Sequence, residues 1–150
     1  MYFAENQGAD LLNEATALRV MSESGADANQ LRYLLEASKH RQILFVKKEN
    51  GEPLASLAFA RISRFTLQVL ANNPEHQLLP YEYREGKILY VLDAFFRKHT
   101  LRQSLALLGP QLKRHRLIAF VRKGRLRAFY NRGGALRPLK LKACEPQSMQ

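Results

Sequence analysis

The residues able to carry chemistry are few, and they are unevenly placed. Asp93 closes the apolar run Ile88-Leu89-Tyr90-Val91-Leu92 and is the only acid between Glu85 and Glu145. A carboxylate there can orient a histidine or accept a proton from an amine; the plainer reading is that it caps a turn or pairs with Arg97. His40 ends one helical pattern and His99 opens another, so each is a candidate base, and each equally suits an ordinary helix-end position. His76 in a polar loop and His115 at a basic helix end are expected to be exposed. No partner cluster surrounds any of them, so no metal site is expected. Cys144 is the single cysteine, which rules out an internal disulfide or a multi-cysteine zinc site and reads as an incidental thiol.

Charge supplies the second signal. The chain has 150 residues and a net charge of +11. Residues 1–36 hold two bases against six acids, whereas residues 93–150 hold fourteen bases and two acids. Such a field favours a polyanionic partner: nucleic acid, an anionic membrane or a very acidic protein. Arg97, Lys98 and Arg102 flank a helix start, where an anion is already favoured. Lys113, Arg114 and Arg116 mark that helix's other end, and Arg122, Lys123, Arg125 and Arg127 ride on a final hairpin. A solvated basic face explains the same residues. The length suits one domain, no apolar run reaches the roughly 18 residues of a membrane span, and Met1–Asp10 has no signal-peptide form, so a cytoplasmic protein is expected.

The elements that must position these groups follow from periodicity. Leu11, Leu12, Ala15 and Leu18 form a helical stripe opened by Asp10 and broken at Gly25. Asp27-Ala28-Asn29-Gln30 has capping-box form and predicts a helix over about 28–38. Ile43–Val46 and Leu54–Ile62 read as strands joined through Asn50-Gly51, a hairpin signature. Phe65–Leu70 suits a strand or a short helix, and residues 75–86 read as a polar loop. Lys87–Leu92, apolar on both faces, predicts a central strand ending at Asp93. Thr100-Leu101-Arg102-Gln103 is a second capping box, and Leu101, Leu105, Leu108 and Leu112 form a stripe expected to pack in the core. Gly109-Pro110 should kink or break that helix. Leu117–Val121 and Leu126–Tyr130 form a last hairpin, after which Gly133-Gly134 ends the ordered pattern. The division expected is one α+β domain over 1–134 and a basic tail over 135–150.

That order resembles the GNAT superfamily, whose fold is a central, mostly antiparallel sheet with helices packed on it. Its acetyl-CoA-binding members carry a glycine-rich turn after the central strand; here Arg97-Lys98-His99-Thr100-Leu101-Arg102 has no glycine. A narrower likeness is to the RTX-toxin-activating lysine acyltransferases, carried by Gln42–Lys48 with Pro53-Leu54-Ala55, by Tyr90-Val91-Leu92-Asp93, and by Ala128–Gly134. The resemblance implies a protein-lysine acyltransferase with acyl carrier protein as donor, no bound cofactor, a protein substrate such as a toxin, and a homodimer. Asp93 would be the catalytic aspartate, with His40 or His99 as base. Arg97, Lys98, Arg102, Lys113, Arg114, Arg116, Arg122 and Lys123 would face the acidic carrier. The family's N-terminal catalytic histidine has no counterpart in Val20–Gly25, where Glu23 stands in only by position, and its Phe-His-Gly-Gly histidine is missing beside Asn131-Arg132. A degenerate member that binds the carrier without chemistry fits the same residues.

The rival expectation is a nucleic-acid-binding module in which the basic C-terminal half contacts phosphates while Phe129 and Tyr130 stack on bases. No helix-turn-helix, zinc-finger or RNP signature accompanies it. Contact of the basic tail with an anionic membrane is a third option, weakened by the scarcity of aromatic anchors.

Overall fold

A computed structural model describes residues 2–5, 11–21 and 27–141. The chain runs β1 (Tyr2–Glu5), α1 (Leu11–Met21), α2 (Ala28–Lys39), β2 (Ile43–Lys47), β3 (Pro53–Ile62), α3 (Arg64–Asn72), a 3₁₀ turn (Pro80–Tyr83), β4 (Ile88–Phe96), α4 (Leu101–Leu112), β5 (Leu117–Arg122), β6 (Arg125–Arg132) and β7 (Ala135–Leu139). The seven strands form one sheet in sequence order. Every neighbouring pair is antiparallel except β4 and β5, which are parallel and joined through α4. The α+β, mostly antiparallel architecture is the one anticipated.

Alternation along the strands sorts the helices onto two faces. Ile43 and Phe45 of β2, Ala58, Ala60 and Ile62 of β3, and Ile88 and Tyr90 of β4 bury against Leu11, Ala15, Leu34, Ala37, Leu67 and Leu70 of α1–α3. The intervening residues Val46 and Ala55 pack against Leu108 of α4 on the opposite face.

Local chemistry explains most boundaries. Gln30 N–H donates to Asp27 Oδ1 at 2.8 Å and Asp27 N–H to Gln30 Oε1 at 3.0 Å, the reciprocal box that starts α2. Asp27→Ala is expected to cost about 1 kcal/mol in chemical denaturation, since one helix-start N–H loses its acceptor. The ambiguous Phe65–Leu70 segment is helical because Ser63 Oγ accepts from Thr66 N–H at 3.1 Å, while Thr66, Leu67 and Leu70 turn inward. The polar loop carries the 3₁₀ turn, which buries Glu82 and Tyr83.

Several expectations are corrected. β4 does not end at Asp93 but continues to Phe96, because β3 keeps pairing with it as far as Ala55 opposite Phe96. Thr100 makes no cap: His99 at φ 66° turns the chain so that Thr100 Oγ1 donates back to Arg97 O at 2.7 Å. Pro110 does not break α4, which closes at Leu112; the carbonyl its ring leaves unpaired belongs to exposed Ala106. The leucine stripe is core only in part, with Leu108 1% exposed but Leu101 50% and Leu105 45%. Gly133-Gly134 does not end the order. Their φ angles of 61° and 87° make the two-residue turn between β6 and β7, so residues 135–139 form a strand rather than the start of a tail. Gly25, Glu23 and Cys144 lie outside the described residues.

Candidate functional site

The parallel pair β4/β5 is in register only from Leu89 opposite Ile118 to Val91 opposite Phe120. Both strands continue, but apart. The cause lies on the other side of β4: the β3 register slips between Ala58 and Phe59, leaving Leu92 as the extra residue of a bulge. A bulge bends its strand, and the bend carries Leu92–Phe96 away from β5. The gap is a groove of about 650 Å³. Leu57, Phe96 and Leu105 line it beside Ala94, Phe120 and Val121 of the parted strands, and Arg122 stands at its rim. Leu105, expected in the core, borders this groove instead.

Residues opposed in a ladder point to one face. Ala94 opposes Leu57 and faces α4, whereas Asp93 opposes Ala58 and faces α1. Asp93 also lines the groove. Its two carboxylate oxygens both accept from Arg19 Nη2, and the pair is buried, with side chains 6% and 7% exposed. The Arg19 guanidinium lies 4.8 Å from the centroid of the Phe95 ring. Arg97, the partner considered for Asp93, binds Glu52 at 2.5 Å instead.

Arg19 is the site residue that sequence reading passed over. It stands eight residues after Leu11 and four after Ala15, both buried, and is itself 5% exposed. A charge on the apolar stripe of a helix was the available signal, since a buried guanidinium requires a carboxylate partner.

The three catalytic candidates are not brought together. No hydrogen bond, ion pair or ring contact joins His40 or His99 to Asp93 among the described residues. His40 caps α2 with its ring stacked on Tyr83 at 5.1 Å, and burial with Arg84 nearby holds its pKa below the ordinary histidine value. His99 is exposed in the turn between β4 and α4. His76 and His115, expected to be exposed, are half-buried; His76 Nε2 lies 3.1 Å from Glu82 Oε2. Among the described residues no three His, Cys, Asp or Glu side chains converge as a metal-ligand set would, and no helix is long and apolar enough to cross a membrane.

The basic residues divide between the two ends of the sheet. Arg97, Lys98 and Arg102 follow the C-terminal end of β4, and Arg122 and Lys123 stand at that of β5; of these, Arg122 lines the groove. Lys113, Arg114 and Arg116 precede β5 and lie at the other end, roughly 20 Å away at the usual strand rise.

No protein-family model matches the chain, and no curated protein matches it. Solved structures do. The chain is similar to the GphF GNAT-like decarboxylase in complex with isobutyryl-CoA, with a TM-score of 0.55 and 16% identity over 81% of this chain and 65% of that one. It is similar also to the loading GNATL domain of CurA from Lyngbya majuscula, with a TM-score of 0.51 and 12% identity over the same shares. The chain thus spans about 65% of the length of these neighbours. The fold is GNAT-like, the class that the order of elements suggested.

Proposed function

We propose that this protein binds an acyl thioester in the β4/β5 groove and passes the acyl group to a lysine of another protein, with acyl carrier protein as donor, as in the RTX-toxin-activating acyltransferases. The observation that carries the reading is the groove. Its walls are mainly apolar, and the edges of β4 and β5 beyond Val91 and Phe120 have no ladder partner in each other. Those free backbone groups suit the amides of a pantetheine arm, and the apolar walls suit an acyl chain. Without glycine in the turn after β4, the phosphate of the arm falls to side-chain charge, with Arg122 lining the groove and Lys98 and Arg102 following β4 in the chain as its candidates. The GphF structure holds isobutyryl-CoA, also an acyl thioester.

In the proposed transfer, the lysine amine attacks the thioester carbonyl. A C–N bond forms, the C–S bond breaks, the amine proton leaves to a base and the thiol departs on the carrier. Asp93 is the carboxylate bordering the groove, fixed by Arg19, and His99 is the histidine nearest to it in sequence, at the same end of β4. His40 has no part in this reading.

The test is a calorimetric titration with acyl-loaded and unacylated carrier. Burial of even two methylenes at about 0.8 kcal/mol each makes the loaded form bind about tenfold tighter. Ala94→Trp, which fills the groove, should abolish that difference. Equal binding of both forms, lost in physiological salt, would refute the reading.

A further inference from the structure

The opposite end of the sheet holds a site that the acyl reading does not use. Two adjoining hollows of about 360 and 400 Å³ open there and share Gly86, Lys87 and Arg116. Arg61, Arg114 and His115 complete the first, and Ser63, Arg64 and Glu85 border the second. The cations arrive from four places in the chain: Arg61 from the end of β3, Arg64 from the start of α3, Lys87 from just before β4, and Arg114 and Arg116 from the α4–β5 loop. We propose that these paired hollows bind a phosphate-bearing ligand with two phosphoryl groups in series.

Three observations support this. First, five permanent cations line the hollows against one carboxylate, Glu85, and the first hollow has no acid at all. Second, none of Arg61, Arg64, Lys87, Arg114 and Arg116 is in an ion pair among the described residues. Arg97 and Lys47 are neutralised locally by Glu52 and Glu14, whereas these five unpaired cations are gathered on the walls of two adjoining hollows. Like charges gathered on a concave surface repel one another, and a bound anion relieves that repulsion. Third, four of the five are arginines, whose planar forks match phosphate oxygens in pairs; a lone carboxylate would answer only one of these charges. His115 reports on the site. Burial, with Arg61 and Arg114 close by, holds its pKa below the ordinary value, against a hydrogen bond to the Lys87 backbone that acts the other way.

The probe is inorganic pyrophosphate, titrated into the full chain by calorimetry in about 150 mM salt. Saturable one-to-one binding is expected. Arg61→Gln and Arg114→Gln should each weaken it about tenfold, the usual worth of a charge-assisted contact. Arg125→Gln, at the far tip of the β5–β6 hairpin, should leave it unchanged. In NMR titrations pyrophosphate should raise the His115 pKa. Absence of saturation, an unmoved His115, or equal weakening by Arg125→Gln and Arg114→Gln would overturn the proposal. A ten-nucleotide single strand identifies the source of the phosphates. Competition with pyrophosphate that depends on Arg61 and Arg114 assigns them to nucleic acid, and lack of competition assigns them to a small diphosphate. The result is independent of the acyl groove, so failure here leaves the carrier titration intact.

Discussion

Asp93→Ala is expected to destabilise the protein by about 3–5 kcal/mol, because it leaves the Arg19 guanidinium buried without its carboxylate. The helix α1 cannot easily turn Arg19 outward. Leu11, Ala15 and Leu18 on the same stripe are 2%, 0% and 1% exposed, so freeing Arg19 would unseat them. Arg19 Nε is already buried without a partner among the described residues, so the guanidinium has little left to bind there once Asp93 is gone. A domain stabilised by the usual 5–15 kcal/mol would lose a large part of its margin. Urea denaturation of Asp93→Ala, Arg19→Met and the Arg19→Met/Asp93→Leu pair checks this. The double variant should recover most of the loss, because both charges leave together. A single-variant loss below about 1 kcal/mol would mean that solvent screens the pair as it does at a surface. Asp93→Asn also removes the charge that Arg19 pairs with, so it too loses stability, and its chemistry is read on protein shown by circular dichroism to be folded. If Asp93 takes part in acyl transfer, this variant keeps carrier binding and loses transfer by about 10²–10⁴-fold.

Gly86→Ala should cost about 3 kcal/mol or more. A Cβ there would stand 2.0 Å from Ile62 O and 2.5 Å from Ser63 N, both backbone atoms. No rotamer change relieves a clash with backbone, so the end of β3 must move. That end is anchored: Ile62 is fully buried and Gly86 N–H donates to Arg61 O at 3.1 Å. Shifting it also disturbs both basic hollows, which Gly86 lines. Gly109→Ala supplies a control of opposite sign. Nothing lies within 4 Å of a Cβ at Gly109 and its φ is ordinary, so alanine inside α4 should stabilise by about 0.5–1 kcal/mol. Thermal melts of both variants decide the point, and equal melting temperatures would remove the close approach from the account.

Local patterns carried much of the architecture. Asp27 and Gln30 close the box their spacing implied, and Asn50-Gly51 makes its hairpin with Gly51 at φ 87°. The strand–helix–strand order around α4 was also legible, and with it the GNAT-like class. Local chemistry misled where two outcomes share one sequence. Thr100-Leu101-Arg102-Gln103 has the composition of a cap, but His99 in the left-handed region redirects the threonine hydroxyl. Gly133-Gly134 suits a chain end and a tight hairpin equally, and the pairing of β6 with β7 selects the hairpin.

The sequence by itself determined most of the helices and strands, where the cations concentrate and that Asp93 lies on the central strand. Each depends on neighbours a few residues apart, through alternation, capping and turn propensity. Tertiary structure decided what those residues face. Arg19 and Asp93 are 74 positions apart and meet only because α1 packs on the side of β4 to which Asp93 points. The groove depends on a bulge that exists only as a mismatch between β3 and β4. The basic residues, continuous along the chain, separate because α4 carries it from one end of the sheet to the other. Such relations arise from pairing between distant segments, and no local propensity encodes them.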